Sequence, residues 1–237
     1  MRDSELADFP IAILAGGLGT RQGPLAEKLP KSLIRVAGEP FLAHQLALLR
    51  RQGLKQVVLC VGYLGEMIKK QFDNGAGCHV TLNYSFDGAH FVGTGGALRK
   101  ALPMLGDRFF VMYGDSYLQT DFKSVLSAFY QSGKTALMTV FRNENRWDTS
   151  NVQFENGRIL AHSKKMKTDS MQHIDYGLSV FTARAFDETP DAFDLSELQA
   201  RLLAKRELAG YEVHERFYEI GSPQGLAELE KSLSRKL

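Results

Sequence analysis

Apolar residues along the chain follow two alternating patterns. IAIL (11–14), QVVLCV (56–61), RFFVMY within RFFVMYGDS (108–116) and TALMTVF (135–141) are short, nearly continuous runs, as expected of strands buried on both faces. HVTLNY (79–84) reads as a further strand. Between them lie stretches with helical spacing. In PFLAHQLALLRRQG (40–53), Leu42, Leu46 and Leu49 share one face, Pro40 suits a first turn and Gly53 a stop. LGEMIKKQF (64–72), the stretch after VGTGGAL, and DFKSVLSAFYQSG read as three more helices. Strands alternating with helices predict a right-handed, mostly parallel α/β sheet.

After Phe141 the character changes. NVQFENGRILAHS predicts a hairpin turning at Asn156-Gly157, and IDYGLSVF (174–181) another strand. ELQARLLAKRELAG predicts a helix and YEVHERFYEIG a pair of short strands. Ser222-Pro223 opens a last helix with a stripe of Leu226, Leu229 and Leu233. The expectation is one domain over 1–237, divided into 1–141 and a smaller mixed C-terminal lobe over 142–237.

Composition narrows the function. The 237 residues carry a net charge of +2, too slight to argue for nucleic acid or an anionic membrane surface. No apolar run approaches the ~18 residues of a spanning helix, and the N-terminus lacks the apolar core of a secretory signal. Two cysteines, Cys60 and Cys78, are too few for a disulfide framework, and both are read as structural. Cytoplasm is the expected location.

The chemistry concentrates in ILAGGLGTRQGPLAEKLPKSL, directly after the first strand. A loop at the carboxyl end of a parallel strand lies where α/β sheets bind ligands. Gly16, Gly17 and Gly19 let backbone N–H groups approach an anion, Arg21 offers a planar fork of donors, and Lys31 adds a compact cation. A dinucleotide fingerprint would need glycine where Gln22 stands. A Walker loop would need Gly-Lys-Ser, but Pro30 precedes Lys31-Ser32. A plain glycine turn leaves both cations without a purpose. The loop reads as built for a polyphosphate.

LAGGLGTRQGPLAEKLPKSL…VAGEP closely resembles the signature of sugar-1-phosphate nucleotidylyltransferases. GTGGAL (93–98) is similar to that family's second glycine loop, Gly114-Asp115-Ser116 to its metal turn, and YEIGSP (218–223) to its late Asp-x-Gly-x-Pro segment. The resemblance implies a Rossmann-like sheet flanked by helices. It implies the reaction of a nucleoside triphosphate with a sugar 1-phosphate to give a nucleotide-sugar and pyrophosphate, serving nucleotide-sugar biosynthesis for cell-surface polysaccharide. It implies Mg²⁺ as cofactor, no nucleic-acid or membrane partner, and allows a homo-oligomer.

The residue roles follow from the same resemblance. Arg21, Lys31 and Asp115 are the expected catalytic residues. Leu14, Ala15, Gly16, Gly17, Gly19, Thr20, Gly93 and Thr94 are expected on the nucleotide. Gly114, Lys165 and Asp175 are expected on the sugar phosphate, with Lys164 as the alternative to Lys165. Asp115 and Glu219 are the expected metal ligands, Glu219 standing where the family usually carries Asp. The compact length and LGTGGA-like form favour GTP with a mannose- or heptose-type 1-phosphate; UTP or CTP with a glucose-type 1-phosphate is the alternative. A non-catalytic nucleotide-sugar-binding regulator is the other class, and the retained Arg21, Lys31, Asp115 and Lys165 argue against it. A glycosyltransferase would commonly show Asp-x-Asp where Tyr117 stands.

Overall fold

The first strand sets the layering. In β1 (Ile11–Leu14), Ile11 and Ile13 enter one apolar core while Ala12 enters another on the opposite face. A strand apolar on both sides must be covered on both sides, which fixes a three-layer α/β/α arrangement. The computed structural model describes residues 6–17, 29–62, 64–88 and 90–234.

β2 (Arg35–Val36) and β3 (Glu39–Pro40) form a short antiparallel ribbon outside the main sheet. β1 pairs in parallel with β4 (Gln56–Val61) and β6 (Arg108–Tyr113), and β4 pairs in parallel with β5 (Thr81–Phe86). β11 (His173–Thr182) lies against β6 but antiparallel to it. Its other edge takes β8 (Ala136–Arg142), antiparallel, and β12 (Leu208–Val213) continues parallel to β8. Across the sheet the order is β5-β4-β1-β6-β11-β8-β12, and β11 alone of these runs against the rest. The hairpin of β9 (Val152–Glu155) and β10 (Arg158–His162) joins β11 at His173. It turns at Asn156-Gly157, where both residues have positive φ.

Helices α1 (Phe41–Arg51), α2 (Gly65–Phe72) and α4 (Phe122–Ser132) cover one face through Leu42, Leu46, Leu49, Ile68, Val125 and Phe129. Helices α3 (Gly93–Leu105) and α5 (Leu195–Ala204) cover the other through Leu98, Ala101, Leu198 and Leu202. A third cluster seats α6 (Pro223–Ser234) by Leu229 against Val36, Phe41 and Tyr117. Asp121 caps α4 by accepting from the N–H groups of Lys123 and Ser124.

Two expectations change. The helix expected across ELQARLLAKRELAG stops at Ala204; Arg206 turns into the left-handed region and Leu208–Val213 becomes the edge strand β12. The two short strands expected in YEVHERFYEIG do not pair with each other. The first lies within β12, and Tyr218–Glu219 (β13) pairs with Ser116–Tyr117 (β7). Strands after residue 142 share the main sheet, with β11 between β6 and β8.

Candidate active site

A cleft of about 430 Å³ opens at the carboxyl ends of β1, β4, β5 and β6. The glycine loop begins its floor. Leu14, Ala15, Gly16 and Gly17 line it, with Ala15 N–H bonded to the Cys60 carbonyl at 2.8 Å. A Cβ on Gly16 would stand 3.1 Å from Asp87 Oδ2 and 3.2 Å from the Gly62 nitrogen. Glycine is therefore what lets β1 leave the sheet between its neighbours. The expected Gly19, Thr20 and Arg21 lie outside the described residues.

Gly114 lines the cleft for a packing reason: a Cβ there would collide with the Leu14 carbonyl. The turn carries Asp115 at the end of β6. Gln45, fully buried on α1, donates to the carbonyls of Ser116 at 2.8 Å and Tyr113 at 3.3 Å and so clamps both sides of that turn. Sequence reading missed Gln45; its place on the face of Leu42, Leu46 and Leu49 was the available signal. Gln45→Leu would leave two carbonyls without a donor, and urea unfolding should show a loss of about 1–3 kcal/mol.

Charge converges beside this turn. Lys31 begins a single turn of 3-10 helix after Pro30, and its Nζ donates to Asp115 Oδ2 at 3.2 Å. The β7–β13 ribbon brings Glu219 opposite Ser116. Gly221 N–H donates to Glu219 Oε2, and Ser222 donates to Oε1 at 2.5 Å. A Cβ on Gly221 would stand 2.6 Å from Glu219 Oε2 and 3.7 Å from both Asp115 Oδ2 and Lys31 Nζ. Gly221 thus leaves a hollow shared by two carboxylates and one ammonium. Hard oxygen donors in that number fit Mg²⁺, which keeps several waters and takes one or two carboxylates alongside substrate phosphates.

The second glycine loop is the first turn of α3. Gly93 and Thr94 line the cleft, but the glycines pack backwards. A Cβ on Gly93 would strike the Phe193 carbonyl, one on Gly95 the Phe193 ring, and one on Gly96 the Asp191 carbonyl. Thr94 Oγ1 donates to Asp194 at 3.3 Å and accepts from Leu195 N–H at 2.9 Å, tying α3 to α5.

At the opposite end stand Asp175, Asn151, Tyr113 and Lys164. Gly177, at φ 93, breaks the regular register of β11 and donates its N–H to Asp175 Oδ1 at 3.0 Å. Tyr113 donates to Asp175 Oδ2 at 3.0 Å. Burial first, then the Asp175 carboxylate, hold the Tyr113 hydroxyl well above the usual phenol range. Lys164 Nζ lies 5.3 Å from the Tyr113 ring centre. Lys165, the expected residue, is exposed and does not line the cleft; its neighbour Lys164 does. Buried His162 is held below the ordinary imidazole range by burial, with Lys164 and Lys167 adding to the effect and Asp175 opposing it. Cys60 also lines the cleft, but burial pushes its thiol up to about 12, so it offers no nucleophile.

Residues 11–232 match the nucleotidyl transferase family. The chain belongs to that family. It is 28% identical over 216 residues to a D-glycero-alpha-D-manno-heptose 1-phosphate guanylyltransferase of Campylobacter jejuni, covering 90% of this chain and 94% of that one. It is 27% identical to a mannose-1-phosphate guanylyltransferase of Mycobacterium tuberculosis, covering 94% of this chain and 65% of the relative. A UTP–glucose-1-phosphate uridylyltransferase of Synechocystis is 28% identical over 75% of this chain and 50% of its own length. Among solved structures, HddC from Yersinia pseudotuberculosis, complexed with GMP-PN, superposes with a TM-score of 0.80 at 20% identity, covering 95% of this chain and 99% of that one. That likeness bears on the fold, which is the one the resemblance implied. Among the described residues, no helix is long and apolar enough to cross a membrane.

Proposed function

We propose that the protein joins a nucleoside triphosphate to a sugar 1-phosphate, releasing pyrophosphate, with GTP and a mannose- or heptose-type 1-phosphate as its substrates. The supporting observation is the convergence of Lys31, Asp115 and Glu219 around the Gly221 hollow, midway between the glycine loop and the Asp175–Lys164 end. The names of the Campylobacter and Mycobacterium relatives favour guanylyl transfer, and the Synechocystis relative keeps UTP with glucose 1-phosphate as the second reading.

The nucleophile is a phosphate oxygen, already anionic near neutral pH, so no side chain need remove a proton. What the site must supply is alignment and neutralisation of crowded negative charge. The backbone of Leu14 to Gly17 approaches the triphosphate. Lys31 neutralises charge at the α-phosphorus while its bond to Asp115 fixes its position. Arg21 serves the leaving pyrophosphate. Lys164 holds the sugar's phosphate and Asp175 accepts from sugar hydroxyls, its own oxygens fixed by Tyr113 and Gly177 N–H. Asp115 and Glu219 would hold Mg²⁺, which supplies charge stabilisation on the phosphate oxygens.

Incubation with each nucleoside triphosphate, Mg²⁺ and a panel of sugar 1-phosphates should release pyrophosphate only when both substrates are present. Release from a triphosphate alone, or from no pair, overturns the reading.

A further inference from the structure

The segment that carries Glu219 alternates along the rim of the cleft. Phe217 and Glu219 line the cleft, whereas Arg216 and Tyr218 do not. On that other side the Arg216 guanidinium lies over two aromatic rings, its Cζ 3.4 Å from the centre of Trp147 and 4.8 Å from that of Tyr218. It also donates to Glu228 on α6. Its Nε is buried and, among the described residues, has no hydrogen-bond partner. The stack on the rings, and not the ion pair alone, therefore holds the guanidinium in place.

Trp147 belongs to the loop over 143–151, between β8 and β9. Buried Asn143 ties this loop to itself: it accepts from Trp147 N–H at 3.3 Å and donates to the Asp148 carbonyl at 2.6 Å and to Ser150 Oγ at 3.1 Å. Ser150 Oγ accepts from Asn145 N–H at 3.1 Å, and Asn145 Oδ1 accepts from Ser150 N–H at 2.8 Å. A loop bonded in this way moves as one piece. Its Asp148 and Asn151 line the sugar end of the cleft, where Asn151 Oδ1 accepts from Asp175 N–H at 2.9 Å. Asp148 also lines a second cavity of about 580 Å³, shared with residues 167–172. The loop is thus a partition between two cavities, and Trp147 is its attachment to the rim.

We propose that Arg216 is a positioning residue for the sugar 1-phosphate: by stacking on Trp147 it fixes the loop, and with it Asp148 and Asn151, against the segment that bears Glu219. The sugar's place at this end rests on the function proposed above; the clasp between Arg216 and Trp147 does not. Arginine suits the task, because its flat face covers a ring while its edge still donates to a carboxylate. Without it the partition has open space to withdraw into, and the sugar end loses the position of one wall. The nucleotide end, over Leu14 to Gly17, keeps its contacts.

Trp147 is the only tryptophan of the chain, so its fluorescence reports the clasp directly. Acrylamide should quench it more strongly in Arg216→Gln than in the wild type. Saturating mannose 1-phosphate should restore the protection, because ligand and clasp favour the same loop position. Arg216→Gln should raise KM for the sugar 1-phosphate by about 5- to 30-fold, the loss of one desolvated cation–π contact, and leave the nucleotide Kd nearly unchanged. Trp147→Leu should do the same to both constants. The double variant should be no worse than either single one, since the two residues act as a unit. Arg216→Lys should recover only part of the loss, because an ammonium cannot lie flat on the indole. An Arg216→Gln enzyme with native sugar KM, or with native quenching, overturns the proposal, even where urea unfolding shows it less stable. So does an equal loss for nucleotide and sugar, or additive losses in the double variant. If no sugar 1-phosphate supports pyrophosphate release yet quenching rises in Arg216→Gln, the enzyme reading fails and the clasp on the loop stands. If release occurs and Arg216→Gln changes neither quenching nor sugar KM, the clasp fails and the enzyme reading stands.

Discussion

Asp115→Asn should lower kcat by about 10²- to 10³-fold, the range seen when one preorganised electrostatic group is removed from a transferring phosphate or acyl centre. The substitution keeps the shape of the turn and removes only charge. Lys31 Nζ, at 3.2 Å from Oδ2 in the native site, retains an acceptor in the amide oxygen, so its position should hold. What is lost is the hard anionic oxygen beside the Gly221 hollow. The half-saturating Mg²⁺ concentration should therefore rise together with the fall in kcat. Affinity for the metal-free triphosphate should stay level or improve, because a negative charge no longer faces the phosphates. That pair of opposite effects separates a metal-holding role from simple damage, which would weaken both. A variant with native kcat, or a native enzyme fully active in excess chelator, removes Mg²⁺ from the mechanism.

The cleft was legible in the sequence where structure follows from local chemistry. The apolar runs at 11–14 and 56–61 became β1 and β4 with the same bounds, since a strand covered on both faces has no polar alternation to blur it. Asp115 and Asp175 line the cleft because the first sits in the turn that follows β6 and the second at the bulge of β11. The unread parts depend on distant partners. Nothing within YEIG announces that Tyr218 and Glu219 pair with Tyr117 and Ser116, some hundred residues earlier. The helical spacing of ELQARLLAKREL carries past Ala204, yet the parallel edge of β8 claims Leu208 onward. Asp87 went unnoticed although, like Asp115, it follows a buried strand at the ligand edge. The glycines of GTGGAL are needed by Phe193 and Asp191, which no short motif contains.

The choice between Lys164 and Lys165 illustrates the same limit and carries the second large effect. Neighbouring residues leaving a strand point to opposite sides. The phase here is set by an irregularity in the β9–β10 pairing between Ile159 and Ala161, then by Ser163 Oγ, which accepts from the N–H groups of Lys165 at 3.2 Å and Met166 at 2.8 Å. That turn leaves Lys164 over the Tyr113 ring and on the cleft, and Lys165 off it. Lys164→Ala should raise KM for the sugar 1-phosphate by about 10- to 100-fold, the cost of one charge-assisted contact of ~1.5–3 kcal/mol. Nucleotide affinity should be nearly unchanged, since Lys164 and the β1 loop serve different phosphates. Lys165→Ala should leave both KM values within about twofold, as exposed charges contribute little. Arginine at 164 should restore part of the loss, because its planar fork keeps the charge without occupying the same point as an ammonium. Both KM values and the nucleotide Kd for the three variants decide the matter. A raised sugar KM in Lys165→Ala with none in Lys164→Ala would return the role to Lys165. A loss of nucleotide affinity in Lys164→Ala would mean that this end of the cleft holds the triphosphate.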